Sequence, residues 1–148
     1  MSEQSVHGTA ITLAGRGVLL RGAPGSGKSS LALRLIDSPG LGLGDQLLCA
    51  RLIADDQVYL RREADKIFLS APQNLQGLLE VRGLGIQTLS FCTTAQLHLV
   101  VDLRPCAEII RLPDAEDQTV GVCGCAIKRV FVDAHSAAAP AILRAALY

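Results

Sequence analysis

Residues 22–29 constrain the fold of this chain more than any other segment, because they are G-A-P-G-S-G-K-S. The apolar run 17–21 before them is predicted to be a strand, and apolar residues recur at helical spacing from Leu31 to Ile36. A glycine loop between a strand and a helix, ending in lysine and a hydroxyl residue, is the P-loop pattern. Its N–H groups and the helix N-terminus attract phosphate. The sequence therefore predicts binding of a nucleoside triphosphate with Mg²⁺.

The residues of this loop have separate expected roles. Lys28 is expected to reach the β- and γ-phosphates, and the Ser29 hydroxyl to ligate Mg²⁺. The predicted nucleotide-binding residues are those of the loop and the start of the helix: Gly22, Ala23, Pro24, Gly25, Ser26, Gly27, Lys28, Ser29 and Ser30. A P-loop indicates what is bound but not what is done with it, so the acidic groups near the phosphates decide the class of protein.

Three acidic positions could complete a magnesium site, since Mg²⁺ prefers oxygen ligands. They are the adjacent pair Asp55 and Asp56, then Glu80, then Asp102. Asp102 follows an apolar run as a Walker B aspartate does, and local pattern alone favours it. The adjacent pair repel each other, so one could act as a base while the other stays charged. Asp-Asp is also a common turn sequence, and the residues alone leave these alternatives open.

Composition narrows the class of protein. The length of 148 residues matches one domain, and 49% apolar residues with 3% aromatic ones predict a globular, mainly aliphatic core. Fourteen basic residues balance fourteen acidic ones, which argues against nucleic acid as a partner. The start of the chain does not resemble a signal peptide, and no apolar run is long enough to span a membrane. The expected location is the cytoplasm, without a membrane partner.

The five cysteines are odd in number and scattered along the chain. They are expected to be free thiols buried in the core rather than a disulfide framework. Cys123 and Cys125 are separated by one residue, which is closer than in zinc knuckles, and no metal is assigned to them.

Hydrophobic patterning predicts the order of the elements. Strands are expected at residues 6–13, 17–21, 52–54, 58–60, 67–70, 97–103 and 127–132, with helices after the P-loop and at 137–147. Asp55 and Asp56 are expected to form a turn between two strands. At Gly83 and Gly85 we expect a close approach of two backbones rather than regular structure.

Four segments together resemble the catalytic domain of bacterial HPr kinase/phosphorylase. They are His7-Gly8-Thr9, the P-loop, residues 52–56 (L-I-A-D-D) and residues 79–86 (L-E-V-R-G-L-G-I). The last is the most specific, because a P-loop occurs in many folds whereas this octapeptide after A-D-D is similar to that family's signature. The resemblance covers about residues 6–101. It implies an α/β fold: a P-loop-containing mixed β-sheet domain similar to phosphoenolpyruvate carboxykinase and the HPr kinase catalytic domain.

The resemblance implies a protein-serine kinase that uses ATP and Mg²⁺ as cofactors. Its implied partner is the phosphocarrier protein HPr or a close paralogue, which would give it a part in regulating the phosphotransferase system and carbon metabolism. By this resemblance Lys28 binds phosphate, and Ser29 and Glu80 help to hold Mg²⁺.

The resemblance also implies the remaining catalytic residues. Asp55 and Asp56 supply the base that takes the serine proton. His7 lies close to the transferring phosphoryl group, and Arg82 belongs to the catalytic set. Asp102 would then only end a core strand.

The chain departs from the family pattern in three places. Residues 1–148 are expected to be one catalytic domain, the short form without an N-terminal domain. Residues 40–49 lengthen the distance to Asp55 and are expected to form an external loop. The family's phosphorolysis of phosphoserine uses an arginine in a basic stretch near the C-terminus, whereas residues 130–137 (V-F-V-D-A-H-S-A) contain none. The phosphorylase activity is therefore not carried over, while the resemblance does imply a hexamer.

Two other functions compete with the protein kinase. The same cradle would serve a small-molecule hydroxyl substrate placed at Asp55 and Asp56. A regulator that senses ATP without transferring phosphate would need no base at all. Aspartates remote from the P-loop, with Asp102 at the magnesium position, would favour an ordinary NTPase or switch.

Overall fold

A computed structural model of the chain describes residues 3–148. The strands are β1 (Glu3–His7), β2 (Thr9–Leu13), β3 (Arg16–Arg21), β4 (Ala50–Ala54), β5 (Gln57–Glu63), β6 (Lys66–Ser70), β7 (Leu78–Val81), β8 (Gly85–Thr88), β9 (Ala95–Leu103), β10 (Thr119–Val122) and β11 (Cys125–Val132). The α-helices of this range are α1 (Lys28–Asp37) and α2 (Ala139–Ala145). No helix within residues 3–148 is long and apolar enough to cross a lipid bilayer.

The main sheet is mixed and has nine strands. Its order is β1-β5-β6-β9-β3-β2-β4, and β11 pairs with β9 and with β10. Strand β9 runs parallel to β3 and β11 but antiparallel to β6. The carboxyl ends of β3, β9 and β11 therefore lie at one edge of the sheet, which is where α/β sheets bind ligands.

One hydrophobic core lies between the sheet and the helices. Ile11, Val18 and Leu20 point to this side from β2 and β3, and Leu31 and Leu35 of α1 pack in the same cluster. All five side chains are completely buried. Full burial of each such side chain stabilises the fold by about 1.5–3 kcal/mol, so this cluster fixes α1, and with it the P-loop, on the sheet.

A second core occupies the opposite face. Leu19 alternates with its neighbours on β3 and packs here with Leu60 of β5 and Leu69 of β6. Because successive side chains of β3 point to opposite faces of the sheet, this strand contributes to both cores. This second core brings β5, and the turn that precedes it, next to the strand that leads into the P-loop.

Residues 6–13 do not form a single strand, so that prediction is wrong. The chain changes partner at Gly8: β1 pairs with β5, whereas β2 pairs with β3 and β4. A Cβ added at Gly8 would lie 2.9 Å from the backbone oxygen of Leu20. The glycine allows this approach, and the apolar periodicity on either side conceals the break.

The prediction for Gly83 and Gly85 is also wrong. Residues 82–84 connect β7 and β8, which form a regular antiparallel hairpin outside the main sheet. The φ angles of Gly83 and Gly85 are 94° and 82°, and no atom lies within 4 Å of a Cβ added at either position. The turn requires glycine at these positions because of their positive φ angles, not because another backbone lies close.

The cysteines are free but not buried, which corrects the expectation of core thiols. Cys49 and Cys106 are exposed, and the other three are half-buried. Cys123 and Gly124 have φ angles of 48° and 80° and connect the paired residues Val122 and Cys125. Two positive φ values in a two-residue connection are those of a type I′ hairpin turn, so the Cys-Gly-Cys spacing has a conformational cause.

The glycine-rich stretch after α1 is an external loop, as expected. Backbone hydrogen bonds between Gly40 and Leu48 close its base, and the Leu43 side chain is 87% exposed. Arg144 of α2 packs against Gly40 and Gly42 and donates a hydrogen bond to the backbone oxygen of Ser38. The loop therefore packs on the C-terminal helix.

Candidate active site

The P-loop connects β3 to α1 and takes the backbone form that its glycines predict. Gly25 and Gly27 have φ angles of 79° and 97°, and Gly27 is the N-cap of α1. The first helical hydrogen bond runs from the Leu31 N–H to the Gly27 oxygen at 2.9 Å. A Cβ at Gly22 would collide with the Ser26 hydroxyl. The free N–H groups at the start of α1 are therefore open to an anion.

Lys28 lies along the inside of this loop. Its ammonium donates hydrogen bonds to the backbone oxygens of Gly22 at 2.9 Å and Ala23 at 3.2 Å. These contacts hold the positive charge beside the N–H groups of the loop, where both would act on the same phosphate.

Asp55 joins three separate elements of the fold. Its Oδ1 accepts hydrogen bonds from the hydroxyls of Ser29 and Thr9, each at 2.8 Å. Its Oδ2 accepts the backbone N–H of Glu80 at 3.2 Å. Thr9 is completely buried, and Asp55 is half-buried. The carboxylate is thus fixed in direct contact with the P-loop serine.

Asp56 follows in a strained turn. Its φ is 70°, a value uncommon for a residue with a side chain. The backbone oxygen of Asp56 accepts the Gly8 N–H at 3.2 Å, and the oxygen of Asp55 accepts the Gln57 N–H at 2.8 Å. The turn is held by these bonds at both of its residues, while the Asp56 side chain is exposed at the cleft.

These elements enclose an open cleft of about 770 Å³. It is lined by residues from the P-loop, the aspartate turn, the β7–β8 hairpin and the segment before α2: Thr9, Pro24, Gly25, Gly27, Lys28, Ser29, Ser30, Leu33, Asp55, Asp56, Glu80, Val81, Arg82, Gly83, Gly85 and His135. The volume lies in the range of small-ligand sites. Its lining includes both basic and acidic side chains.

Most of the predicted site residues meet in this cleft. Glu80 and Arg82 line it from the β7–β8 hairpin. Of the predicted nucleotide-binding residues, Gly22, Ala23 and Ser26 do not line it.

Two further candidate residues, His7 and Asp102, do not line the cleft. His7 is exposed at the end of β1, opposite Gln57, and only its neighbour Gly8 bonds to the aspartate turn. Asp102 binds Arg21 through two hydrogen bonds of 2.8 and 2.9 Å and lies 3.4 Å from Arg129. The pattern that favoured Asp102 as a magnesium ligand therefore marks an ion pair at the end of β9.

Sequence reasoning missed two residues of the cleft that have polar side chains, Thr9 and His135. Thr9 stands in the segment H-G-T, but nothing in its own pattern indicates that its hydroxyl reaches Asp55. His135 belongs to no motif and comes to the cleft from near the C-terminus of the chain.

Asp133, two residues before His135, has a lowered pKa. Its carboxylate accepts backbone N–H groups from His135 at 2.9 Å and Cys106 at 3.0 Å, and chiefly these bonds hold the pKa of Asp133 below its usual value.

The residues of the cleft fit Mg²⁺ bound together with phosphate. No group of three or more His, Cys, Asp or Glu side chains within residues 3–148 is arranged to hold a metal ion by itself. Mg²⁺ commonly takes only one or two protein ligands and completes its shell with phosphate and water. The Ser29 hydroxyl, next to the Asp55 carboxylate and open to the cleft, is the kind of donor set that such an ion uses.

The fold and this loop define a P-loop domain built on a mixed β-sheet. Residues 1–144 match the family of the HPr Serine kinase C-terminal domain, and the chain belongs to that family. The HPr kinase/phosphorylase of Burkholderia lata is 43% identical over 138 residues, and that of Burkholderia cenocepacia is 42% identical over the same length. Each alignment covers 86% of this chain but 39% of the relative, so the chain spans well under half of their length.

A solved structure confirms the fold. The structure of the Hpr(Ser) kinase/phosphatase from Coxiella burnetii superimposes with a TM-score of 0.78 at 22% sequence identity. The match covers 97% of this chain and 88% of the other. The fold class implied by the sequence resemblance, a mixed-sheet α/β domain of the HPr kinase catalytic type, is therefore correct.

Proposed function

We propose that this chain is a protein-serine kinase that transfers the γ-phosphoryl group of ATP to HPr or a close paralogue. Membership of the HPr kinase family supports a phosphoryl transferase, and the arrangement of the cleft supports catalysis by this chain. The substrate is proposed from the names of the relatives, HPr kinase/phosphorylase.

One contact carries the proposal: the hydrogen bond of 2.8 Å between the Ser29 hydroxyl and Asp55. A nucleotide sensor requires the P-loop alone, whereas a kinase also requires a carboxylate beside the transferred phosphoryl group. The aspartate turn touches the P-loop, and Asp102 is engaged by Arg21. This geometry favours the kinase over the sensing regulator.

The chain's residues have distinct parts in the reaction. The loop N–H groups and Lys28 hold the phosphate chain in line with the incoming hydroxyl. Mg²⁺, held through Ser29 with Glu80 nearby, would neutralise charge on the β- and γ-phosphate oxygens. The hydroxyl oxygen of the substrate serine bonds to the γ-phosphorus, and the pair Asp55 and Asp56 takes the proton of that hydroxyl. The bond from that phosphorus to the β–γ bridging oxygen breaks, and ADP leaves with the electron pair.

The cleft is shaped for a hydroxyl carried by a protein. It is open, and the β7–β8 hairpin at its rim exposes Leu84 by 71% and Ile86 by 68%. Exposed apolar side chains beside a site are typical of protein-binding surfaces. This supports a protein substrate over a free small molecule. The loss of phosphorolysis, hexamer formation, a catalytic role for His7 and a cytoplasmic location stay predictions.

The test is transfer from γ-labelled ATP with Mg²⁺ to purified HPr, to HPr with its target serine changed to alanine, and to a mixture of small hydroxyl compounds. The proposal expects label on HPr that requires both its serine and Lys28 of this chain. Label on the small compounds alone would support the small-molecule kinase. Tight binding of ATP without any transfer would support the regulator.

A further inference from the structure

His135 stands at the P-loop end of the cleft, although neither its own sequence context nor the family comparison assigns it a role. It follows β11 in the segment before α2, and its side chain is exposed to the cleft. A Cβ added at Gly27 would lie 3.8 Å from Cε1 of the His135 ring. Because Gly27 is the N-cap of α1, the imidazole lies beside the helix end that attracts phosphate.

The backbone around His135 is fixed by Asp133. The two oxygens of this carboxylate accept the N–H groups of His135 and Cys106, and its backbone oxygen accepts the Ser136 N–H at 3.0 Å. Asp133 places a carboxylate next to residue 135 on the side of its backbone N–H. The ring is thus presented to the cleft from an ordered turn with an anion behind it.

The charges of the cleft leave a need for a further basic group. Among the residues that line it, Asp55, Asp56 and Glu80 are acidic, whereas Lys28 and Arg82 are basic. Arg82 belongs to the turn between β7 and β8 rather than to the P-loop. A triphosphate adds several negative charges to this lining. His135 is a further basic residue there, and its ring lies beside the N-cap of α1.

We propose that His135 is a phosphate-binding residue of this cleft, whose imidazole donates a hydrogen bond to an oxygen of the nucleotide's phosphate chain. The proposal rests on the proposed function only in requiring that the cleft accept a nucleoside triphosphate. The hydrogen-bond donor of the ring, rather than its bulk, is the property that matters. Lys28 acts from within the loop, and His135 acts on the same phosphates from the segment after β11.

The experiment measures the dissociation constants of Mg·ATP and of inorganic pyrophosphate with Mg²⁺ for the unaltered chain, His135→Ala and His135→Arg. His98→Ala is the matched control, because His98 is exposed on β9 with its ring bonded to the Gln96 oxygen and does not line the cleft. His135→Ala is expected to weaken both ligands about tenfold, as loss of a charge-assisted hydrogen bond does. His135→Arg is expected to bind them within about threefold of the unaltered chain, and His98→Ala equally well.

Three results would overturn the proposal. The first is pyrophosphate and ATP binding by His135→Ala at the unaltered strength. The second is an equal loss in His135→Ala and His135→Arg, since a structural role would not be rescued by another hydrogen-bond donor. The third is no binding of either ligand by the unaltered chain, which would also end the kinase proposal. Binding that depends on His135 without transfer to HPr would leave this inference standing and reject the kinase alone.

Discussion

The Ser29 hydroxyl donates a hydrogen bond of 2.8 Å to Oδ1 of Asp55, across 26 positions of the chain. The same oxygen accepts the Thr9 hydroxyl at 2.8 Å, so the P-loop, the aspartate turn and the start of β2 meet at one atom. This convergence puts the Asp55 carboxylate beside the proposed site of a metal-bound phosphate. We therefore expect Ser29 and Asp55 to act together.

Ser29→Ala is expected to weaken binding of Mg·ATP by tenfold or more, because the metal loses its hydroxyl ligand. Binding of ATP without Mg²⁺ is expected to change by less than about threefold, since the loop N–H groups and Lys28 remain. Calorimetric titrations with Mg²⁺ and with a chelator measure both. Ser38→Ala, at the exposed end of α1, is the control; equal losses with and without metal would contradict the assignment.

The P-loop could be predicted because its information is local, whereas the aspartate pair is selected only by the family resemblance. Glycine, lysine and serine at fixed spacing leave few other conformations or chemistries for residues 22–29. His135 and Thr9 could not be found this way, because their place in the cleft depends on contacts between distant parts of the chain. Residues on either side of His135 pack in the first core, and β2, which carries Thr9, pairs with β4, which leads to Asp55. Local pattern alone favours Asp102 as the magnesium ligand, and only the structure shows that its carboxylate is paired with Arg21.

The wrong predictions at Gly8 and at Gly83 and Gly85 share one cause. A glycine signals either a positive φ or a close contact, and sequence does not say which. At Gly8 the neighbouring backbone is close, whereas at Gly83 the space is open and the φ angle is the requirement.

Gly83→Ala is therefore expected to strain the turn of the β7–β8 hairpin by about 1–2 kcal/mol. Since Glu80 and Arg82 project into the cleft from this hairpin, we expect a slower transfer rate as well. The matched change is Gly121→Ala on β10, where an added Cβ also meets no atom and the φ angle is ordinary. Equal rates and thermal midpoints for the two variants would refute the conformational argument.

Leu35→Ala is expected to lower the free energy of unfolding by about 2–5 kcal/mol, because it opens a cavity in the core between α1 and the sheet. Leu35 is completely buried, whereas Leu43 is 87% exposed in the external loop. Leu43→Ala should change stability by no more than about 0.5 kcal/mol. Urea titration of both variants measures the difference, and a small loss for Leu35→Ala would mean that α1 is not anchored as described.

Asp133→Asn is expected to lower the thermal midpoint at pH 7. The folded protein depresses the pKa of this carboxyl, mainly through the His135 N–H bond, so the ionised form stabilises the fold above the pKa of the unfolded chain. The contribution is lost as the pH falls through the lower, folded pKa. The gap between the variant and the unaltered chain should thus be full at pH 7 and shrink below about pH 4.

Asp65→Asn provides the comparison, because Asp65 is exposed in the turn between β5 and β6. It should follow the unaltered chain at every pH. A gap for Asp133→Asn that grows on acidification would have the wrong sign for a lowered pKa.

The central claim is that the aspartate turn, and not the aspartate after β9, serves the P-loop in phosphoryl transfer. The most direct measurement is the rate of phosphate transfer from Mg·ATP to HPr by the unaltered chain, the double variant Asp55→Asn with Asp56→Asn, and Asp102→Asn, at a temperature where all three are folded. We predict a loss of at least about 100-fold for the double variant, the lower range for removal of a general base, and a rate within about threefold of normal for Asp102→Asn. Near-normal transfer by the double variant, with loss in Asp102→Asn, would contradict the account.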